Sequence, residues 1–288
     1  WQPSRSTRSS RTSPAPAPTT PPTVSPTTRA KTPTSKDKTG VPPGTKLKRF
    51  DGDMVVTEKG KKIKGLEIHG SVSVRAPNVV IENTRIVGVR PLDTGLVSSR
   101  STGLTIKNTE IYSAHRNPTT NGIMGSNFVL DHVEIRDVVD QVHIHGEGNV
   151  VVKNSWLHRN VHYANDPNWN GGPSHDDNIQ IVGGSNITIT GNRLSGAHNA
   201  AVMITQGAGK VSDVSITKNR IGNGGCSINL APGSRGHIND LKIHANGFEA
   251  NQRFASCAVI GPAAYASNPA ANYWITSGAL IRLSNGGS

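Results

Sequence analysis

Short stretches in which apolar and polar residues alternate recur along the chain from residue 66 onward. Each stretch combines an alternating aliphatic segment, a polar turn that contains Asn in most copies, and a second short apolar segment. Seven copies occupy residues 79–86, 104–111, 128–135, 150–157, 187–194, 214–221 and 241–248. Their starts are separated by 25, 24, 22, 37, 27 and 27 residues. Alternation with a period of two predicts β-strands, and repeats of this length predict a solenoid of stacked coils.

The turn of the repeat carries asparagine at two alternative places. Asn83, Asn108 and Asn154 hold the first place, and Asn192, Asn219 and Asn246 hold the next. Such residues either stack as amide ladders between coils or act as turn residues that tolerate a left-handed backbone. Both interpretations agree with the same solenoid.

The repeats lack the Leu-x-x-Leu-x-Leu frame of leucine-rich repeats. Over about residues 60–250 they resemble the superfamily of right-handed parallel β-helices that includes pectate lyases, polygalacturonases and mannuronan epimerases. The resemblance implies an all-β, single-stranded right-handed parallel β-helix of about 7–9 coils. Residues 41–65 are expected to form the entry cap, and Tyr273-Trp274-Ile275 the exit cap or a last coil.

Composition divides the chain into two parts. Residues 1–40 contain 8 Pro and 17 Ser or Thr, so they have little apolar surface to bury and are expected to form a disordered basic linker. Residues 41–288 form the expected β-helix domain. Of the whole chain, 34% is hydrophobic and 4% aromatic, which favours one thin core of short strands.

Charge limits the partners that the chain can be expected to bind, and the cysteines bear on its compartment. The net charge is +12, and residues 1–40 contribute half of it, so the remainder favours an acidic polymer as partner. Nucleic acid is not expected as a partner, because the sequence shows no recognition helix. A membrane span is not expected either, because the sequence contains no apolar run of about 18 residues. Cys226 and Cys257 either pair in an oxidising compartment or stay as two buried thiols. A secreted monomer is expected.

One coil carries an insertion, because the step of 37 residues exceeds its neighbours by at least 10. The insertion covers roughly residues 158–174 and contains Arg159, His162, Tyr163 and Trp169. It leads directly into Ser174-His175-Asp176-Asp177-Asn178. Long loops on a rigid scaffold commonly carry function, so the insertion is expected to border a site.

Four strands that follow the turns align by the parity of their aliphatic residues: 141–145, 178–182, 201–205 and 227–231. If the aliphatic residues face the core, the others project outward. The outward set is expected to be Gln141, His143, His145, Asn178, Gln180, Met203 and Asn229. The same alignment puts His175 beside His198 and Asp176 beside Asn199. Coils lie about 4.8 Å apart, so these side chains should form one polar platform.

Elimination on a uronic-acid polymer requires that the carboxylate be neutralised, the C5 proton removed and the leaving oxygen protonated. The expected catalytic residues are His143, Tyr163, His175, Asp176 and His198. The expected substrate-binding residues are Gln141, His145, Arg159, His162, Trp169, Asn178, Gln180, Asn199, Lys210 and Asn229. Asp140 and Asp177 are either a Ca²⁺ site or a pair of turn-capping residues. No other cofactor is expected.

Other activities remain open at this point. The Asp176-Asp177 pair is similar to the paired aspartates of polygalacturonases, and His143-Ile-His145-Gly146 to their Gly-His-Gly segment, but the order is reversed and the Asn-Thr-Asp and Arg-Ile-Lys signatures are missing. Pro173-Ser174-His175-Asp176 resembles the Asp-Pro-His-Asp run of mannuronan epimerases. A non-catalytic glycan-binding β-helix is a third alternative. The expected function is a polysaccharide lyase on an acidic polysaccharide, with epimerase and hydrolase as alternatives.

Overall fold

The computed structural model describes residues 39–265, 269 and 271–285. The predicted linker lies outside these residues except for Thr39 and Gly40, which are both buried. The Gly40 N–H donates to the His132 carbonyl at 2.9 Å. A Cβ at Gly40 would lie 3.1 Å from the Glu134 carboxylate. Thr39 and Gly40 therefore pack against the β-helix.

The chain forms three long sheets in which every neighbouring pair of strands is parallel. The first sheet contains β1 (Lys48–Asp51), β4 (Leu66–His69), β7 (Arg85–Gly88), β10 (Glu110–Ser113), β13 (Glu134–Arg136), β16 (Trp156–His158), β19 (Arg193–Leu194), β22 (Arg220–Ile221), β25 (Gly247–Phe248) and β27 (Tyr273–Trp274). The second contains β2 (Met54–Val56), β5 (Val72–Val74), β8 (Gly95–Ser99), β11 (Asn121–Gly125), β14 (Val142–Ile144), β17 (Asp177–Ile181), β20 (Ala200–Ile204), β23 (Ile228–Leu230), β26 (Val259–Gly261) and β28 (Leu283–Asn285). The third contains β3 (Lys62–Lys64), β6 (Val80–Glu82), β9 (Leu104–Lys107), β12 (Phe128–Asp131), β15 (Gly148–Lys153), β18 (Ser185–Thr190), β21 (Ser212–Thr217) and β24 (Asn239–His244).

Strands that are neighbours in a sheet lie one coil apart in the sequence, so the fold is a parallel β-helix, as predicted. Eight coils supply one strand to each sheet, and the last two described coils supply strands to the first and second sheets. The expected entry cap, residues 41–65, contains the first coil, and Tyr273–Trp274 lies in the last described one. Each sequence repeat is the corner where a strand of the third sheet passes into a strand of the first.

The core is a stack of aliphatic side chains that repeat from coil to coil. Ile81, Ile106 and Leu130 are fully buried at equivalent positions of the third sheet, and Ile86 and Ile111 at those of the first. Burial of each such side chain stabilises the fold by about 1.5–3 kcal/mol. A rigid stack of this kind fixes the spacing of whatever side chains point outward.

The two interpretations of the turn asparagines hold for different residues. Asn83, Asn108 and Asn154 have φ of 47°, 48° and 50°, so they are left-handed turn residues. Asn192, Asn219 and Asn246 are instead fully buried and form an amide ladder that continues to Asn272. Their side-chain amides donate from each coil to the next at 2.8–3.0 Å.

Cys226 and Cys257 form a disulfide. This resolves the alternative left open by the sequence and ties the segment before β23 to the segment before β26. The described helices are three single 3₁₀ turns, Pro167–Trp169, Gly233–Arg235 and Ala263–Tyr265. Among the described residues no helix has the length and apolar content that a bilayer crossing requires.

A chain of ion pairs crosses the outer face of the first sheet. The buried Glu110 carboxylate accepts from Arg85 Nε at 2.6 Å and from the Arg136 guanidinium. Burial alone would raise the pKa of Glu110, but the hydrogen bonds and charges of Arg85 and Arg136 outweigh it and lower that pKa. Glu110 is therefore ionised and stabilising in the folded protein.

Glu110→Gln should lower the free energy of unfolding by about 2 kcal/mol at neutral pH, since it removes one carboxylate partner from each of two partly buried guanidinium groups, Arg85 and Arg136. Because the folded-state pKa is lowered, this stabilisation is present above the ordinary value of 4.5 and is lost as the pH falls through the folded-state pKa. Urea unfolding at several pH values from 7 to 3 should show that the free energies of unfolding of the variant and the unmodified protein become more similar in acid. The exposed Glu58→Gln serves as the control, and an unchanged gap at pH 3 would contradict the assignment.

Candidate functional site

Loops at the corner between the first and second sheets stand beside one groove. These loops span residues 89–94, 114–120 and 159–176, whereas the corresponding loop of the second coil is only residues 70–71. The groove has a volume of about 470 Å³ and crosses the outer face of the second sheet. It is lined by Asp93, Pro118, Thr119, Asn121, Val139, Asp140, His143, Asn168, Trp169, His175 and Gln180. Five of these residues were predicted from the sequence to belong to the site: Asp140, His143, Trp169, His175 and Gln180.

The inserted loop is organised around Asp166. This buried carboxylate accepts from the Asn168 N–H at 2.9 Å, which caps the 3₁₀ turn 167–169, and from the Ser174 hydroxyl at 2.7 Å. The Asn168 side-chain amide donates to the Pro118 carbonyl at 3.3 Å and so joins this loop to the loop 114–120. The loop thereby holds the half-exposed Trp169 ring at the groove, stacked 3.7 Å from His175.

His143 lies on the floor of the groove, on β14 between two buried aliphatic residues. Its Nδ1 lies 3.1 Å from Asp140 Oδ2. Asp140 is buried, and its own N–H donates to the Asn121 side chain at 3.1 Å. When Asp140 accepts a hydrogen bond from Nδ1–H, the Nε2 atom of His143 is left as a proton acceptor. The pair has the arrangement of a general base with an orienting carboxylate.

Asp177 lies directly behind this pair. The Asp177 N–H donates to Asp140 Oδ1 at 2.9 Å, and Asn199 donates to Asp177 Oδ1 at 2.9 Å. Burial and the Asp140 carboxylate raise the pKa of Asp177 well above its ordinary value. Three of the four carboxylate oxygens of Asp140 and Asp177 thus accept N–H donors. Ca²⁺ binds six to eight oxygen ligands, so this arrangement favours the turn-capping alternative for Asp140 and Asp177 over a Ca²⁺ site.

A second cluster consists of His162, Asp176 and His198, whose ligand atoms lie within 4.8 Å of one another. Asp176 is fully buried; Oδ1 lies 2.7 Å from His162 Nδ1, and Oδ2 accepts the His198 N–H at 2.7 Å. The two imidazole rings lie 3.7 Å apart. Burial raises the pKa of Asp176 to about 6. The pKa of His198 is lowered by burial, by His162 and by Arg253.

The predicted outward platform is wrong for Gln141 and Asn178, which are both fully buried. The Asn178 amide donates to the Gln141 side chain at 2.9 Å and to the Ser195 carbonyl at 2.9 Å. Gln141 comes directly before β14, and Asn178 is the second residue of β17. Strict alternation fails at these strand starts, and the side chains turn into the corner instead.

The predicted alignment of the two coils is confirmed for Asp176 and Asn199. Backbone register pairs Asp177 with Ala200, and the Asn199 N–H donates to the Asp176 carbonyl at 3.2 Å. The rings are arranged differently from the alignment, because the His175 ring stacks on Trp169 and the His162 ring lies beside His198. The long loop supplies its own stacking partners, which alignment of strands alone cannot anticipate.

The other predicted site residues lie around the two clusters. Asn229 follows His143, Gln180 and Met203 in one outward row of the second sheet, and the His145 ring lies 6.1 Å from that of His143. Tyr163 is half-buried at the base of the loop, where its N–H donates to Ser174. Arg159 pairs with Asp137 at 2.9 Å, and Lys210 is exposed in the loop before β21. Arg159 and Lys210 are not among the residues that line the groove.

Several lining residues were not selected from the sequence: Asp93, Pro118, Thr119, Asn121, Val139 and Asn168. Asp93, Pro118 and Thr119 belong to the loops 89–94 and 114–120, which lengthen their coils too little to disturb the steps of 25 and 24 residues. The signal that was available is their composition, since Pro91 and Asp93, and then Asn117 and Pro118, interrupt the aliphatic pattern.

No protein-family model matches the chain, and a search of the curated proteins gives no match.

Proposed function

We propose that this protein is a polysaccharide lyase that cleaves a uronic-acid-containing polysaccharide by β-elimination, with His143 as the base. The observation that carries the proposal is the Asp140–His143 pair at the floor of a groove bordered by an aromatic ring. His143 Nδ1 is engaged by Asp140, and the groove is lined by Trp169 and His175. Proton abstraction by an oriented imidazole is typically worth about 10²–10⁴-fold in rate.

In the proposed step His143 Nε2 takes the proton from C5 of the uronate. The C–H electron pair becomes the C4–C5 double bond, and the C4–O bond to the next sugar breaks. The departing oxygen takes a proton from the groove wall, for which His175 is the proposed donor. The products are a new non-reducing end that is unsaturated and a new free hydroxyl on the released chain.

The groups available in the groove favour elimination over hydrolysis. Hydrolysis of a glycosidic bond generally needs two carboxyl groups that face the substrate. Asp140, Asp176 and Asp177 are at most 5% exposed, and their oxygens accept N–H donors from the protein. The more accessible titratable groups that line the groove are the imidazoles of His143 and His175 and a single exposed carboxylate, Asp93. This arrangement supports proton removal at carbon rather than activation of water by a carboxylate pair.

The surroundings suit a sugar polymer with acidic units. A half-exposed indole offers an apolar face to a pyranose ring, and Asn121 and Gln180 offer amides. Among the described residues no Lys or Arg lines the groove, so neutralisation of the uronate is assigned to protonated imidazole and to the positive charge of the whole chain. Membership of the pectate-lyase-like superfamily, secretion and a monomeric state belong to the same proposal, and the disulfide supports an oxidising compartment.

The direct test is ultraviolet absorbance of unsaturated uronate during incubation of purified protein with pectate, alginate, glucuronan and glycosaminoglycans. Each substrate is assayed with and without Ca²⁺. Rising absorbance on one of these polymers is the expected result. New reducing ends without absorbance would overturn elimination in favour of hydrolysis, a changed uronate composition in an uncut polymer would indicate epimerisation, and binding without any turnover would indicate a glycan-binding protein.

A further inference from the structure

The cluster of His162, Asp176 and His198 has no part in the proposed elimination, yet it combines three metal-ligating side chains at one corner of the β-helix. Its three ligand atoms lie within 4.8 Å of one another. Asp176 and His198 flank the same corner in successive coils, and His162 comes from the inserted loop. The backbone of two stacked coils therefore holds two of the ligands, and the loop delivers the third.

The charge of Asp176 lacks a cationic partner among the described residues. The ionic neighbour recorded for this fully buried carboxylate is His162, which is charged only when protonated. The other contact of the side chain is a backbone N–H. Burial of a carboxylate without a permanent positive charge is costly. A bound cation would remove that cost and would explain why the His162 ring both contacts this carboxylate and stacks on the His198 ring.

We propose that His162, Asp176 and His198 bind one Zn²⁺ ion, with Asp176 as the carboxylate ligand and the two histidines as nitrogen ligands. Two imidazole nitrogens and one carboxylate oxygen are a common donor set for Zn²⁺ and suit it better than Ca²⁺, which prefers oxygen ligands alone. Three protein ligands leave one position of a tetrahedral ion for water or a substrate oxygen. Zn²⁺ would displace the proton that His162 Nδ1 and Asp176 Oδ1 share, and their distance of 2.7 Å would widen to admit the ion.

One neighbour opposes the cation. Arg253 Nε donates to the His198 carbonyl at 3.1 Å, and its guanidinium lies over the exposed Phe254 ring. This positive charge near His198 should weaken metal binding. Removal of the charge in Arg253→Gln is therefore expected to tighten Zn²⁺ binding, which a purely structural role of the cluster would not predict.

The inference does not rest on the proposed lyase activity, and its test uses no polysaccharide. Metal-free protein without a histidine tag is titrated with Zn²⁺ in competition with a chromogenic chelator. One Zn²⁺ per chain is expected, and His162→Gln or His198→Gln should each weaken binding by at least about 10–100-fold. X-ray absorption should show nitrogen ligands at about 2.0–2.1 Å. Thermal unfolding of the metal-free variants checks that they fold.

The matched control is His175→Gln, because His175 adjoins Asp176 in sequence but stacks on Trp169 outside the cluster. Its affinity for Zn²⁺ should equal that of the unmodified protein. The proposal is overturned if binding stays below one ion per chain, if His175→Gln and His162→Gln lose affinity equally, or if Asp176→Asn binds as tightly as the parent. The chain has 11 histidines, so Zn²⁺ can also bind weakly to others. The comparison of the His175→Gln and His162→Gln variants distinguishes such weak binding from binding at the cluster.

Discussion

His143→Ala should lower kcat/KM on the acidic polysaccharide by about 10²–10⁴-fold, because it removes the proposed base while the groove keeps its shape. Asp140→Asn should cause a comparable loss, since an amide at that position no longer fixes the Nδ1–H tautomer of His143. The measurement is the initial rate of unsaturated-product formation at substrate concentrations below KM. Both variants should bind the polymer almost as tightly as the unmodified protein.

His145→Ala is the control for this experiment. His145 follows His143 by two residues in the same coil, and the two rings lie 6.1 Å apart. His145 does not line the groove. Its loss should change kcat/KM by less than about 10-fold. Equal losses in His143→Ala and His145→Ala would remove His143 from the role of base, as would an unchanged rate in His143→Ala.

Asn219→Ala should lower the free energy of unfolding by about 4–6 kcal/mol, because it breaks several buried hydrogen bonds at once. Asn219 Oδ1 accepts both the N–H and the side-chain amide of Asn192, and its Nδ2 donates to Ile189 and to Asn246. Asn219 is fully buried, so bulk solvent does not replace the lost partners. Equilibrium unfolding in guanidinium chloride provides the measurement.

An exposed asparagine ladder in the same protein supplies the comparison. Asn149 donates to Asn127 at 2.9 Å and accepts from Asn186 at 3.1 Å, but these bonds are exposed to solvent. Asn149→Gly keeps the positive φ of that turn and should cost about 1 kcal/mol or less, since water replaces the lost partners. If Asn219→Ala and Asn149→Gly lower the free energy of unfolding equally, burial is not the reason that the Asn219 ladder stabilises the fold.

The fold could be predicted because its signal repeats. Ile81, Ile106 and Leu130 each mark the same position of successive coils, so one misread residue does not alter the alignment of the others. The asparagines were ambiguous for a physical reason: Asn83 and Asn192 occupy adjacent places of one turn, and only the backbone conformation decides which faces the core. The paired cysteines likewise required the distance between two segments that are far apart in sequence.

The site was predictable where strands carry it and unpredictable where corners and loops do. His143 and Gln180 project outward from regular strands, as alternation requires. Gln141 and Asn178 lie at the starts of these strands, where alternation no longer gives the direction of a side chain. The stacking of Trp169 on His175 depends on how Asp166 shapes the inserted loop, and nothing in the strand pattern encodes that contact.

The corner between the first and second sheets tolerates very different chain lengths. Residues 70–71 cross it in one coil and residues 159–176 in another, yet the strands on either side keep the same register. Loop length there is consequently uncoupled from the register of the stack, so we expect a replacement of one of these loops to reshape the groove without rebuilding the core. The residues that set the register and the loops that border the groove lie on separate segments of the chain.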